Sequence, residues 1–409
     1  MRKFFFILLC FLLSGPAVNA QVQDLILRKN AQRAEVPFEY ENGFIIVRVV
    51  FNNIFPLKFI IDTGAEHTIL TKREITDLLQ IDYQRRFVIM GADLKTELGA
   101  YLVRGIVLTM GNMYMNNRSI LVLEDDYFNF DEFAGLDIHG IIGADLLRRF
   151  VMEIDYRKKN ITFYDPSKFK LPKGKFDELD VEFHRNKPYI FTETELPRDT
   201  SARLKYLMDT GASVALMMYT ITDSLLHLPD QFIRSNIGMG LGGFIEGFVG
   251  RTPAIDIGDT RLQEVITNYQ DFLPTMDSSY FNDRNGLLGN QVLSRYKVIV
   301  DYIRGKVYME PTSRVNKRFR YDRSGLSLIA SGAQLEDITI FAVTPNTPAS
   351  EAGLQKGDII KTMNGVPSGF LTLQGAINRL KRREGKRIKL RIEREGEVHR
   401  VRFRLRDLI

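Results

Sequence analysis

The chain has 409 residues, 44% hydrophobic and 26% charged, with 56 basic side chains against 50 acidic ones. That is globular composition with length enough for two or three domains, and it excludes fibrous, low-complexity and disordered classes. The positive excess is mild and spread out, so nucleic acid is not an expected partner; the densest cluster, Lys381-Arg382-Arg383 with Lys386 and Arg387, reads as the solvated end of a helix, with a basic binding surface as the alternative.

Residues 1–20 begin with Arg2 and Lys3, continue through an apolar run from Phe4 to Leu13, and end with Val18 and Ala20 as small residues before Gln21. This reads as a removable secretory signal, with an uncleaved anchor as the alternative, and it predicts an exported protein, periplasmic or extracellular. Cys10 is the only cysteine and lies in that segment. The mature chain is therefore expected to lack disulfide and thiol chemistry. No later stretch is long and apolar enough for a membrane helix, so no integral membrane segment is expected after the signal is removed.

An internal repeat organises residues 34–312. FIIDTGAEHTIL at 59–70 returns as YLMDTGASVALM at 206–217, and GIIGADLLRRFVMEIDYRKKNITFY at 140–164 returns as GLLGNQVLSRYKVIVDYIRGKVYM at 286–309. Asp62 and Asp209 are 147 residues apart, and Gly140 and Gly286 are 146 apart. A looser match pairs Phe38, Asn42 and Phe44-Ile45 with Phe183, Asn186 and Tyr189-Ile190. Two copies of one mainly β fold are expected, over 34–167 and 168–312. Strands are predicted at 44–51, 57–61, 298–302 and 306–309, and short helices at 144–150 and 290–296. Residues 165–180 and 311–325, rich in polar and turn residues, read as connectors.

Residues 320–409 carry a different pattern, predicting an α+β unit. A strand is expected at 338–344, a helix at 373–381 with Leu373, Ile377 and Leu380 on one face, and a hairpin of 387–393 with 398–405 around Glu395-Gly396.

The chemistry lies in Asp-Thr-Gly, which occurs after an apolar strand in each copy, at Asp62-Thr63-Gly64 and Asp209-Thr210-Gly211. One such tripeptide suits a structural turn. Two at matching places in a repeat suit a pair of carboxylates meeting across a pseudo-twofold axis. At about 3 Å and an effective dielectric near 20, their repulsion is on the order of 5 kcal/mol. The pair then holds one proton over several pH units, so that one member serves as base while the other serves as acid. Metal-free hydrolysis of a peptide bond needs those two functions. The glycines allow close backbone approach, and the threonines can each offer a hydroxyl across the interface.

These motifs resemble those of retropepsin-like aspartic proteases, here doubled in one chain as in the pepsin arrangement. The likeness rests on Asp62-Thr63-Gly64-Ala65-Glu66 and Asp209-Thr210-Gly211-Ala212-Ser213, with Ile141-Ile142-Gly143 and Leu287-Leu288-Gly289. It implies two β-barrel lobes, catalytic Asp62 and Asp209, dyad support from Thr63, Gly64, Ala65, Thr210, Gly211 and Ala212, apolar support loops at 141–143 and 287–289, and flaps over the cleft. It also implies protein or peptide substrates and no cofactor. Met90-Gly91-Ala92 and the glycine-rich 238–243 are candidate flap tips or ordinary turns. The chain departs from the family pattern at Ala144 and Asn290, where retroviral enzymes carry Arg, and at Ser213, where the first copy has an acid. Alanine at 65 and 212 replaces the hydroxyl of pepsins. One fewer hydrogen bond to the ionised pair predicts activity from mildly acidic toward neutral pH.

The last unit resembles a PDZ domain through Thr347-Pro348-Ala349, Glu351-Ala352-Gly353-Leu354, Lys356-Gly357-Asp358-Ile359-Ile360 and Asn364-Gly365. The resemblance implies binding of peptide C-termini or extended peptides as an added strand, with Gly325-Leu326-Ser327-Leu328 as the carboxylate loop; a PDZ fold that only packs on the lobes is the alternative. The five histidines show no metal-ligand spacing and no metal is expected. The reading is a secreted aspartic endopeptidase with a peptide-recruiting PDZ module; the rival is a non-catalytic peptide-binding or scaffold protein.

Overall fold

The computed structural model describes residues 25–27, 32–91, 96–127, 130–131, 135–240, 243–270, 281, 284–332 and 335–409. The expected signal at 1–20, with Cys10, lies outside the described residues, as do Ala92 and residues 241–242 of the candidate flap tips. Among the described residues no helix is long and apolar enough to cross a membrane. The protein is mainly β, with several sheets and a PDZ domain at the C-terminus.

The repeat seen in the motifs extends to the strand order. In the first copy, Phe44–Phe51, Phe55–Ile61, Gly140–Ile142, Ile69–Leu70, Met113–Leu123, Glu97–Met110 and Arg85–Met90 lie side by side in that sequence. In the second, Lys187–Leu196, Thr200–Met208, Gly286–Leu288, Leu216–Tyr219, Thr260–Gln270, Gly243–Ile257 and Phe232–Gly240 repeat it. Each short apolar strand, Gly140–Ile142 or Gly286–Leu288, is parallel to the Asp-bearing strand and antiparallel to the strand after the Asp turn. Flanked on both sides and buried, it reads as an uninterrupted apolar run, not an alternating one.

The looser match upstream is corrected by the register. Ile46 faces Ile60 in the first copy, and Tyr189 faces Leu207 in the second, so Ile46 corresponds to Tyr189 and Phe44 to Lys187. The sequence match is off by two residues at the strand positions and by one at Asn42, because each hairpin arm of the second copy is two residues longer. A two-residue slip keeps every side chain on its own face of the strand, so the apolar pattern conceals it. The corresponding turns are Asn42-Gly43 and Arg185-Asn186, all with positive φ, the conformation that suits a two-residue hairpin.

The halves are stitched by antiparallel pairing of Val151–Asp155 with Tyr296–Asp301, from Val151↔Asp301 to Asp155↔Lys297. The expected helices shorten to Ala144–Leu147 and Asn290–Leu293 because the following residues enter those pairing strands. The connector at 165–180 is not wholly irregular: Asp177–Glu178 pairs with Tyr308–Met309. One apolar core runs through both copies and includes Phe319 and Ile409.

The C-terminal sheet has its own core and runs from Leu326–Ser331 at one edge through Asp337–Val343, Ile359–Met363 and Arg387–Arg394 to Glu397–Arg404. The helix Leu373–Leu380 starts at Thr372, whose Oγ1 accepts from the Gly375 amide at 3.0 Å, and buries Leu373, Ala376 and Leu380. The unit is pinned to the lobes. Ile409 packs in their core, the Arg251 Nε donates to the Ile409 carbonyl at 3.4 Å, and the Arg295 guanidinium lies 3.4 Å from the Phe319 ring centroid.

Candidate active site

Each aspartate sits where its strand ends. The Asp62 amide donates to the Ile142 carbonyl and the Asp209 amide to the Leu288 carbonyl, both at 3.0 Å. The apolar strands thus hold the start of each Asp turn. Ile141, Ile142, Gly143, Leu287, Leu288 and Gly289 are all buried beneath these turns.

The turns interlock. The Thr63 amide donates to Thr210 Oγ1 at 3.0 Å, and the Thr210 amide to Thr63 Oγ1 at 3.1 Å. Each hydroxyl then donates onward across the interface, Thr63 Oγ1 to the Met208 carbonyl at 2.6 Å and Thr210 Oγ1 to the Ile61 carbonyl at 2.8 Å. Both threonines are fully buried, and the four bonds satisfy every polar group involved.

That lattice brings the carboxyl groups together, each against the glycine of the other turn, where each acts on the other's ionisation. Asp62 Oδ1 also accepts from the Gly64 amide at 2.7 Å and the Ala65 amide at 3.0 Å; Asp209 Oδ1 accepts from the Gly211 amide at 2.8 Å. The Ala212 amide instead reaches back to the Asp209 carbonyl at 3.4 Å. Glycine is required at both turns by proximity: a Cβ at Gly211 would lie 2.3 Å from Asp62 Cγ, and one at Gly64 would lie 2.8 Å from Asp209 Cγ.

The pair is chemically asymmetric. Desolvation, and then the Asp209 charge, hold the Asp62 carboxyl well above the usual carboxylate range. Desolvation also raises Asp209, opposed by the hydrogen bond from Asp62 and the positive charges of Arg284 and Lys187. The positive charges of Arg284 and Lys187 thus favour the ionised form at Asp209, and no such charge acts on Asp62 among the causes of its shift. Arg284 and Lys187 replace Ile138 and Phe44 of the first copy. Arg284 is legible as a difference between matched positions, whereas Lys187 is hidden by the two-residue register slip.

Asn290 is a second asymmetry. Its fully buried side chain donates to the Gly43 carbonyl at 2.7 Å and the Thr210 carbonyl at 2.5 Å, and accepts from the Tyr156 hydroxyl at 2.6 Å. Ala144 takes this place in the first copy, and there the buried Tyr302 hydroxyl finds no partner. Glu66, without the arginine of the retroviral pattern, lies 3.8 Å from Arg185 and 3.9 Å from His67. Both candidate flap regions are hairpins, paired as far as Met90↔Glu97 and Gly240↔Gly243.

In the PDZ unit, Gly325, Leu326 and Leu328 are buried and Ser327 part-buried at the start of the edge strand. Two amides of the expected carboxylate loop are already engaged. Gly325 N–H donates to Asp322 Oδ2 at 2.6 Å, and Leu326 N–H donates to Ser324 Oγ at 3.1 Å. The loop as expected is therefore not open at those two positions.

Residues 47–146 match the family model described as aspartyl protease, a span inside the first copy that includes Asp62 and its support loop. Residues 309–405 match the PDZ domain model. No curated protein matches the chain. The chain thus carries an aspartyl protease domain and a C-terminal PDZ domain.

Proposed function

We propose that this protein is an aspartic endopeptidase in which Asp62 and Asp209 hydrolyse peptide bonds through a water molecule. One observation carries the reading: two carboxyl groups from topologically equivalent strand ends face each other in a part-buried setting, each against the glycine of the other turn. Asp209, as carboxylate, takes a proton from the water as its oxygen attacks the scissile carbonyl carbon. Asp62 gives its proton to the carbonyl oxygen, and a neutral gem-diol forms. A proton then passes to the leaving nitrogen, the C–N bond breaks, and the pair returns to its single-proton state. The PDZ domain recruits peptide segments to this site. The charged start and apolar run of residues 1–20 support export, to a periplasm or beyond.

The test is incubation of the full mature chain with a peptide library from pH 3 to 8, with and without a statine-type transition-state mimic. Cleavage blocked by the mimic is expected. Peptide binding without cleavage at any pH would replace this reading with a scaffold function.

A further inference from the structure

The positive surplus is not spread over the chain but carried by its last strands. Residues 381–409 hold 12 basic and five acidic side chains, a net +7 against +6 for all 409 residues. Arg-Ile-Lys-Leu-Arg-Ile at 387–392 and Arg-Val-Arg-Phe-Arg at 400–404 alternate with a period of two. In a strand that period sends Ile388, Leu390, Ile392 and Phe403 into the core and the cations to the other face. The register then sets the cations opposite one another: Arg387 faces Arg404, Lys389 faces Arg402 and Arg391 faces Arg400. All six are exposed.

Neighbours in this array are about 5–7 Å apart, inside the Debye length of ~8 Å, so salt leaves much of their repulsion. Like charges directly opposite each other destabilise a sheet. Flanking cations are neutralised: Arg394 lies 2.7 Å from Asp358, Arg406 2.9 Å from Glu351 and Lys361 3.2 Å from Glu393. Among the described residues, none of the six has a carboxylate within ion-pair distance. Protection of a sheet edge against aggregation accounts for cations on the outermost strand, Glu397–Arg404. It does not account for Arg387, Lys389 and Arg391, which lie on the strand inside it. The charge continues past one end of the array. Arg404 Nη1 donates to the Gly385 carbonyl at 3.1 Å, and the next residue, Lys386, lines a cavity of about 580 Å³ with Arg318, Arg320, Arg382 and Arg383. Of the two acids there, Asp407 is held by Arg323 at 3.1 and 3.2 Å, which leaves Glu384.

The outward residues of the hairpin, from Arg387↔Arg404 to Glu393↔Val398, include no aromatic side chain. A single nucleic-acid strand is held on aromatic platforms, and a duplex groove admits a helix or a free two-stranded ribbon, whereas Arg387–Arg394 is flanked by strands on both sides. Protein interfaces centre on apolar and aromatic anchors with few charges. A lipid surface of net negative charge needs none of these, only cations presented together.

We propose that this hairpin face is a docking surface for an anionic phospholipid membrane, holding the chain at the bilayer by charge rather than by insertion. Such docking is independent of whether the dyad cleaves peptides.

The test is co-sedimentation of the full mature chain with vesicles of phosphatidylcholine alone or mixed with phosphatidylglycerol. Binding is expected to the mixed vesicles only, and it should weaken as salt rises and the Debye length shortens. Each Lys or Arg near such a surface contributes about fivefold to binding. The quadruple variant Lys389→Gln, Arg391→Gln, Arg400→Gln, Arg402→Gln should therefore lose at least about a hundredfold. Its unfolding temperature should be unchanged or raised, because like-charge pairs are removed. The pair Lys389→Gln, Arg402→Gln should lose about 25-fold and reports if the quadruple variant does not fold. Four exposed connector lysines control for net charge: Lys168→Gln, Lys170→Gln, Lys173→Gln, Lys175→Gln together should retain parental binding. No preference for the mixed vesicles, parental binding by the hairpin variants, or an equal loss in the connector variant would each overturn the proposal. So would tighter binding to polyglutamate or to duplex DNA than to the mixed vesicles, which would give the face an acidic protein or a nucleic acid as its partner.

Discussion

The Thr63 amide donates to Thr210 Oγ1 at 3.0 Å and the Thr210 amide donates to Thr63 Oγ1 at 3.1 Å, although the two residues are 147 apart in sequence. The exchange is direct, from the backbone of one turn to the side chain of the other. The position of one aspartate is therefore fixed by the other copy's turn, and the dyad exists only when both halves are folded against each other.

Replacing Thr210 by Val keeps the shape but removes an acceptor for Thr63 N–H and a donor to the Ile61 carbonyl. Two buried polar groups are left without partners, at about 1–3 kcal/mol each. Chemical unfolding should show a loss of ~2–4 kcal/mol, and peptide hydrolysis should fall sharply. Thr210→Ser, which keeps the hydroxyl, should retain most of both.

The two tyrosines at matching places should respond differently. Tyr156 donates to Asn290 Oδ1 at 2.6 Å, so Tyr156→Phe leaves that oxygen unpaired and should cost about 1 kcal/mol or more. The Tyr302 hydroxyl is buried without a partner, so Tyr302→Phe should be neutral or stabilising. Thermal unfolding of the two variants compares them directly. Asn290→Ala should exceed either, because the Gly43 and Thr210 carbonyls lose their donor as well.

Arg284 and Lys187 favour the ionised form of Asp209. Removing either charge raises the pKa of the base, so the acid limb of the kcat/KM profile should move to higher pH. A shift of roughly half a pH unit or more is expected for Arg284→Met or Lys187→Met. An unmoved acid limb in both variants would assign the proton differently.

Both aspartates have folded-state pKa values raised above 3.8. Between that unfolded value and the raised folded values, the native chain holds more protons than the unfolded one. The stability they contribute is thus present below the unfolded pKa and is lost as pH rises through the folded pKa. Asp62→Asn removes one such titration. The variant should melt above the parent at pH 7 by about 2–4 °C, as ~1 kcal/mol does in a domain of this size, with the gap closing towards pH 4.

Much of this organisation is legible in the sequence because the repeat carries it. Asp62 and Asp209, their following Thr-Gly, and the buried Ile141-Ile142 and Leu287-Leu288 pairs are recognisable as residues in equivalent surroundings. The two-residue slip upstream is invisible in the sequence because strands have a period of two, and with it the correspondence of Lys187 to Phe44 is lost. Lys381 reads as exposed beside Arg382 and Arg383, yet it is part-buried at the end of its helix, where it shares cavity linings with Asn42 and Ser213 of the two copies; no local pattern encodes that packing. The engagement of Gly325 by Asp322 is likewise a matter of loop geometry within a span whose composition reads only as a turn.

The most direct measurement is kcat/KM for one cleaved peptide with the parent chain, Asp62→Asn and Asp209→Asn, each confirmed folded by circular dichroism. If a single proton held between the two carboxyl groups carries the chemistry, each substitution alone reduces turnover by at least about a thousandfold, since neither group can replace the other. Parent-level turnover in either variant would contradict the account.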